Sequence, residues 1–574
     1  MKNKLLIPII IIGVLFSASC NKILDQNPQG VIFPGSLSTP TNTDAMVIAA
    51  YSSLGNDHYT YPYTSMWPYG SVRGGDAYKG GNGQGDISEY DWFENFSTNR
   101  VDNDLIDQLW YNIYVGIARA NEALALVNSQ DTSVYPLKVQ RQAEMRFLRG
   151  HFYFLLKILY KYIPYIDETI SKNNYASISN RVYTNDSLWG KIAADFSFAA
   201  ANLPNSQTDL GRPNKYAAEA YLAKTLLYRA YQQDENNNVT GLNLGFLSQV
   251  NTLCDDVINN GGYSLNSDFS QNFLSSNRNG KESIFAIQYS INDGTPHGRL
   301  DYGHVLSYPM YPSYGCCGFH VPSHDLINAF QTDSTGLPEF STYNNNDVAT
   351  THDWHTGTFD PRLDHTVAIP GHPYKYMPTV IFDSTWARAA GIYGAFASMK
   401  EVVSFNDPNF EKVPPFMSSA KNWDIIRLDD VMLFKAEALI QLSQQNSALP
   451  LINALRTRSA SSTALLVTAS GTPTSNYGIK TYQPGVNCTW TQNFALQALM
   501  FERRLEFATE GYHFFDLVRW GIAAETMNAY FAEEKTKSAH LAAANFTKGR
   551  DEYFPIPLNQ MNFSQGVYKQ NTGW

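Results

Sequence analysis

Hydrophobic residues recur every three or four positions through two separated stretches of the chain. Ile106, Leu109, Trp110, Ile113, Ile117, Leu124 and Val127 hold that spacing and predict an amphipathic helix over 103–128. Val139, Phe147, Leu148, Phe152, Leu155, Leu159 and Tyr162 predict a second over 137–162, which Pro164 closes. Asp186-Ser187 and Pro204 bracket a third over 187–202. Pro213 stands before a fourth over 214–232, whose face of Ala217, Ala220, Ala223 and Ala230 admits a close neighbour. Later helices are predicted at 426–442, 448–459, 491–510 and 512–525. Short connections fold such helices back into antiparallel pairs.

Between 235 and 425 the pattern changes to Gly, Pro, Asn, Asp and aromatic residues, with short strand-like pieces such as Ser283 to Tyr289. Long connections on a helical frame are characteristically binding loops. The helix pairs resemble tetratricopeptide units, which stack because one hairpin cannot bury its own apolar face. The fold class is therefore mainly α: a tetratricopeptide-like helix-hairpin scaffold, mainly 103–232 and 426–525, with a large irregular loop-rich lobe containing short strands, mainly 235–425. The last helices return after the lobe, so 41–574 reads as one composite domain.

The chain starts differently. Lys2 and Lys4 precede an apolar run from Leu5 to Phe16, then Ser17-Ala18-Ser19-Cys20. This is a secretory signal over 1–19, shorter than the ~20 residues a membrane span needs. Cys20 after small residues matches a bacterial lipobox, where its thiol carries lipid, and 20–40 reads as a tether. Two or more acyl chains anchor a protein stably to a membrane without spanning it.

Composition narrows the function. Charged residues make up 16% of the 574 residues and aromatics 14%, with a net charge of −10. That is far below the roughly 25% charge of an average protein, and the acidic balance excludes a nucleic-acid binder. No Gly-x-Ser-x-Gly, His-Glu-x-x-His, Cys-x-x-Cys or Walker lysine loop occurs, and Gly81-x-Gly83-x-Gly85 lacks the strand and helix of a nucleotide site. His320 and His324 are separated by Pro322, and His352 and His355 flank Trp354 in a loop, so neither pair predicts a metal site. The sequence predicts no enzyme, no cofactor and no metal.

Several segments together resemble the SusD/RagB family of Bacteroidetes surface lipoproteins. After Cys20 come Ala143-Glu144-Met145-Arg146-Phe147-Leu148-Arg149-Gly150, then Asp360-Pro361-Arg362-Leu363, then Ile426 to Val431 with Ala436-Glu437-Ala438. The most specific stretch runs from Glu502-Arg503-Arg504-Leu505-Glu506-Phe507 through Glu510-Gly511 to Asp516-Leu517-Val518-Arg519-Trp520-Gly521. Tyr553 to Pro557 and Gln570 to Trp574 complete the order. The resemblance implies a non-catalytic, lipid-anchored protein on the outer-membrane surface. It binds oligo- or polysaccharide and passes it to a SusC-like TonB-dependent transporter in nutrient uptake. The alternative is a peptide-binding or purely structural lid of such a transporter. The signature's own charges read as structural: Arg503 with Glu506 and Asp516 with Arg519 stand i,i+3, and buried carboxylates need partners.

A sugar offers C–H faces and hydroxyl edges, so its site needs flat aromatic platforms with amides, carboxylates or guanidinium groups around them. Three loop regions have that mixture. The first runs from Asn56-Asp57-His58-Tyr59 to Tyr78; Trp67, Arg73 and Asp76 are its expected exposed residues, with Trp92 beyond. The second runs from Tyr302 through Tyr308, Tyr311 and Tyr314 to Cys316-Cys317. Those adjacent cysteines, relaxed by Gly315 and Gly318, are expected to close a vicinal disulfide that stacks against ligand. Cys254 and Cys488 pair with each other or stay free. The third comprises Trp386, Arg388 and Tyr393.

Overall fold

The computed structural model describes residues 38–413 and 415–574. The signal-like segment, Cys20 and residues 21–37 of the tether lie outside the described residues. Helix α1 (Pro40–Tyr51) begins one residue before the expected start of the domain at 41, with Thr39 capping it through a 3.2 Å bond from the Asn42 N–H. After a short α2 (Ser88–Asn95) comes the scaffold: α3 (Asp104–Ser129), α4 (Lys138–Tyr160), α5 (Asn185–Asn202) and α6 (Lys215–Ala230). Asn103, Thr184 and Asn214 cap α3, α5 and α6, each side chain accepting from an N–H that has no partner within its helix.

These helices pack in succession, and the series continues through α7 (Leu244–Asn260) to α8 (Leu428–Gln441), α9 (Gln445–Ser461) and α10 (Gln492–Glu506). Glycines set the closest approaches: a methyl on Gly116 would lie 2.6 Å from the Phe152 ring, and one on Gly150 2.9 Å from Phe196. The scaffold is mainly helical and tetratricopeptide-like, as the periodicity predicts. Two details differ. Helix α7 lies inside the stretch read as irregular and bridges the two halves, burying Leu247, Val250, Cys254 and Val257. The helix expected at 512–525 is two, α11 (His513–Trp520) and α12 (Ala523–Glu534), because Gly521 turns into the left-handed region at φ +76°.

The loop-rich lobe holds short antiparallel pairs. Strand β1 (Ala77–Gly80) pairs with β3 (Phe319–Pro322), β2 (Ser283–Ile287) with β6 (Trp423–Arg427), and β4 (Phe410–Val413) with β5 (Phe416–Ser419). Every ladder among the described residues has two strands. The charged signature cross-links helices: Arg503 pairs with Asp430 of α8 and Asp516 of α11, both at 2.9 Å, and Arg519 pairs with Glu437 and Asp516. Besides the main core, a small second core of Tyr308, Tyr314, Tyr374, Phe382, Met399 and Val402 lies within the lobe. That second core carries the surface described next.

Candidate functional site

Tyr314 forms the floor. Its ring is buried among Tyr308, at 5.0 Å, and Phe410, at 5.5 Å, and its hydroxyl donates to the Val403 carbonyl at 2.7 Å. Above it lie three half-buried rings. Tyr311 is 4.2 Å from Trp386 and 5.2 Å from Phe405. Trp386 ends a 3-10 turn, Ser384–Trp386, capped by Asp383; its carbonyl accepts the Met310 N–H at 2.8 Å. Phe382, at 5.2 Å, and Tyr374, at 5.7 Å, meet its edge. Each aromatic pair adds about 0.5–1.5 kcal/mol beyond simple burial, so the three rings are held before any ligand arrives.

The Cys316–Cys317 pair is disulfide-bonded across a cis peptide, while Cys254 and Cys488 are free. Cys316 is half-buried and Cys317 buried. The Cys317 and Gly318 N–H groups both donate to the Tyr308 carbonyl at 2.9 Å, which ties the disulfide to the floor. From the other side comes the glycine loop that follows β1. The Gly81 N–H donates to the Gly318 carbonyl at 2.8 Å, and Lys79 Nζ donates to the carbonyls of Gly83 at 2.9 Å and Asp86 at 2.6 Å. Arg388 closes the junction: its Nη1 pairs with Asp86 at 3.0 Å and donates to the Cys317 carbonyl at 3.3 Å. Tyr314, Cys316, Cys317, Trp386 and Arg388 thus meet in one place.

The first region behaves otherwise. Trp67, Arg73 and Asp76, expected at the surface, are 0%, 1% and 1% exposed. Trp67 Nε1 donates to the Gly303 carbonyl at 3.0 Å, under the lobe. Arg73 lies between Phe514 and Phe554, each 4.2 Å away, and donates to the Asp551 carbonyl; burial lowers its pKa to about 9. Burial pushes the Asp76 carboxyl up, but His513 and Arg504, each 2.9 Å away, outweigh it and hold it low. The cause is backbone contact: a methyl on Gly70 would lie 1.8 Å from the Gly511 carbonyl oxygen, so this segment is pressed into the core. Tyr393 is buried too, beside His540 and Tyr78. Trp92 is half-buried on α2, with Arg100 over its ring at 5.7 Å, and shares no ring contact with the platform.

Sequence reasoning missed Phe405 and Asp86. Phe405 stands just before the turn-rich Asn406-Asp407-Pro408-Asn409, and Asp86 just after the glycines of 81–85, so both had a local signal of loop placement. In the first region the half-buried aromatics are instead His58, Tyr59 and Tyr61, with His58 stacked on Tyr59 at 4.3 Å and on Tyr61 at 4.5 Å. Among the described residues no group of three or more His, Cys, Asp or Glu side chains is placed to hold a metal ion, and no helix is long and apolar enough to cross a membrane. Chemically, the platform offers flat apolar faces flanked by a guanidinium and a carboxylate. That set stacks on C–H faces and hydrogen-bonds hydroxyls.

Known proteins share this architecture. The SusD family pattern matches residues 281–574, and one described as starch-binding associating with outer membrane matches 78–227. A SusD-like protein of Bacteroides ovatus is 27% identical over 528 residues, covering 91% of this chain and 83% of its own. A SusD superfamily protein from Bacteroides vulgatus superposes with a TM-score of 0.67 at 20% identity, covering 93% of this chain and 99% of that one. A laminarin-binding SusD-like protein superposes at 0.62 with 22% identity, covering 93% and 100%. The chain belongs to the SusD/RagB family of outer-membrane, surface-exposed, glycan-binding lipoproteins, which are non-catalytic.

Proposed function

We propose that this protein captures oligo- or polysaccharide at the Tyr311–Trp386–Phe405 platform and passes it to a SusC-like TonB-dependent transporter. Residues 1–19 act as the signal, Cys20 carries the lipid, and 20–40 tether the body 41–574 to the outer membrane. The observation that carries the reading is the platform itself: three half-buried rings fixed over a second core, next to a disulfide and a guanidinium. A site of this kind is shallow and preformed. Its ligand stacks, exchanges hydroxyl hydrogen bonds with Arg388 and Asp86, and stays exchangeable for delivery. The solved laminarin-binding relative has the same fold, which supports a glycan rather than a peptide cargo.

The test is affinity electrophoresis of the protein against plant, microbial and host polysaccharides. Burying a tryptophan-sized face contributes about 1.5–3 kcal/mol, so Trp386→Ala should weaken retention by the matching polymer about tenfold or more, while the ring contacts it loses lower the melting temperature by only a few degrees and leave the variant folded in the assay. Undiminished retention by the alanine variant refutes this placement of the site.

A further inference from the structure

The Arg388–Asp86 pair is more than a brace between two loops. Guanidinium carries five N–H donors and carboxylate two acceptor oxygens. Arg388 uses only Nη1, for Asp86 and the Cys317 carbonyl. On Asp86, Oδ2 takes both Arg388 and the Asn82 N–H at 2.9 Å. Among the described residues Arg388 Nε and Nη2 and Asp86 Oδ1 have no hydrogen-bond partner, and the two side chains are 29% and 30% exposed. The pair therefore leaves free donors and a free acceptor next to each other, two residues along the chain from Trp386.

We infer that this ion pair reads a vicinal diol, and that the bound glycan is one whose linkage leaves such a diol on each sugar unit. This rests on the capture site proposed above. A hydroxyl both donates and accepts. Two gauche hydroxyls on neighbouring ring carbons can accept from the guanidinium and donate to the carboxylate together. An isolated hydroxyl can bridge the carboxylate and one N–H but leaves the guanidinium's other free N–H groups without a sugar partner, and a site built to bond two hydroxyls discriminates against an analogue that offers one. In a 1,4-linked pyranose chain the 2- and 3-hydroxyls form the diol, and in a 1,6-linked chain the 2-, 3- and 4-hydroxyls do. In a 1,3-linked chain the linkage separates every free ring hydroxyl from the next. The preferred class is a 1,4- or 1,6-linked backbone.

The experiment is a polysaccharide microarray probed with the whole chain in detergent. It carries xyloglucan, glucomannan, xylan and amylose as 1,4-linked polymers, dextran as 1,6-linked, and long-chain curdlan as 1,3-linked. The expected result is retention on at least one 1,4- or 1,6-linked polymer, and retention on curdlan about tenfold weaker or less. Arg388→Ala and the milder Asp86→Asn should each weaken that retention about tenfold while melting as the parent does. Curdlan bound as well as the others overturns the diol reading. So does retention that Arg388→Ala and Asp86→Asn leave intact while Trp386→Ala abolishes it, and in that case the capture site stands. Retention on no polymer overturns the capture site and the diol reading together.

Discussion

Glu506→Gln tests whether the family's charged signature builds the fold or touches ligand. Glu506 is fully buried; its Oε2 accepts from Arg362 Nη1 at 2.7 Å and its Oε1 binds Arg458. Around it Arg362 also meets Asp360 and Glu502, both at 2.7 Å, Arg456 meets Glu502, Arg458 meets Glu282, and Arg427 and Lys400 meet Glu510. Asp429 is the odd member: burial, with Glu282 and Glu506 nearby, outweighs Arg427 and raises its carboxyl well above the ordinary range. The Glu506→Gln change removes one carboxylate from this cluster; the amide oxygen that remains can still accept from one of the two arginines but carries no charge, and the other contacts of Arg458 to a carboxylate are at 3.3 Å, to Glu282. Breaking one partner of a buried pair costs about 3–5 kcal/mol. With about 2 cal/mol/K of unfolding entropy per residue, a chain this long should melt roughly 2.5–4 °C lower. The sign with pH is fixed as well. Arg458 and Arg362 outweigh burial and hold the Glu506 carboxyl far below its ordinary value, so its stabilisation is present above about pH 4.5 and fades as pH falls through the folded value. Calorimetric melts of parent and variant should therefore converge in acid. Unchanged melting combined with lost polysaccharide retention would mean that the signature serves the ligand, and would refute this account.

Three further outcomes follow from particular groups. Burial, then Asp301, raises the Asp57 carboxyl to about 7. Its stabilising protonated form is fully present below about pH 4 and is lost as pH rises through about 7, so Asp57→Asn should flatten that dependence and raise the melting temperature at about pH 8. Alkylation of the denatured, unreduced protein should label Cys254 and Cys488 and spare Cys316 and Cys317 until reductant is added; early labelling of either would exclude the bridge. Because stacking and hydroxyl bonds to an uncharged sugar carry no net charge, polysaccharide affinity should change less than twofold between about 50 and 500 mM salt; a steep decline would point to an anionic ligand.

The helical scaffold was legible because its information is local: a stripe at three- and four-residue spacing places α3 and α4, Pro164 closes the second, and Asp186-Ser187 and Pro204 bracket α5. Helix α7 carries the same stripe in Leu247, Val250, Cys254 and Val257, but Asn251, Asp255, Asp256, Asn259 and Asn260 give its segment the composition of a loop. The site divides along the same line. That Tyr311, Trp386 and the two cysteines lie in loops is a local property, whereas exposure of Trp67, Arg73 and Asp76 depends on what the rest of the chain lays over them. The glycines at 70 and 74 lie between Trp67 and Asp76. They are contact points: a methyl on Gly74 would lie 2.6 Å from the Gly70 carbonyl oxygen and 2.9 Å from the Phe514 nitrogen, and this close approach buries their neighbours. Asp76 finds Arg504 across 428 residues, and Asp86 finds Arg388 across 302. No spacing rule reaches that far. Both pairs join a loop residue after a glycine to an arginine far along the chain, yet one is buried beside His513 and the other keeps free donors and a free acceptor at the surface. Equal sequence signals therefore give opposite environments. What separates them is whether a third side chain completes the pair: His513 does so for Asp76, and among the described residues none does so for Arg388 and Asp86.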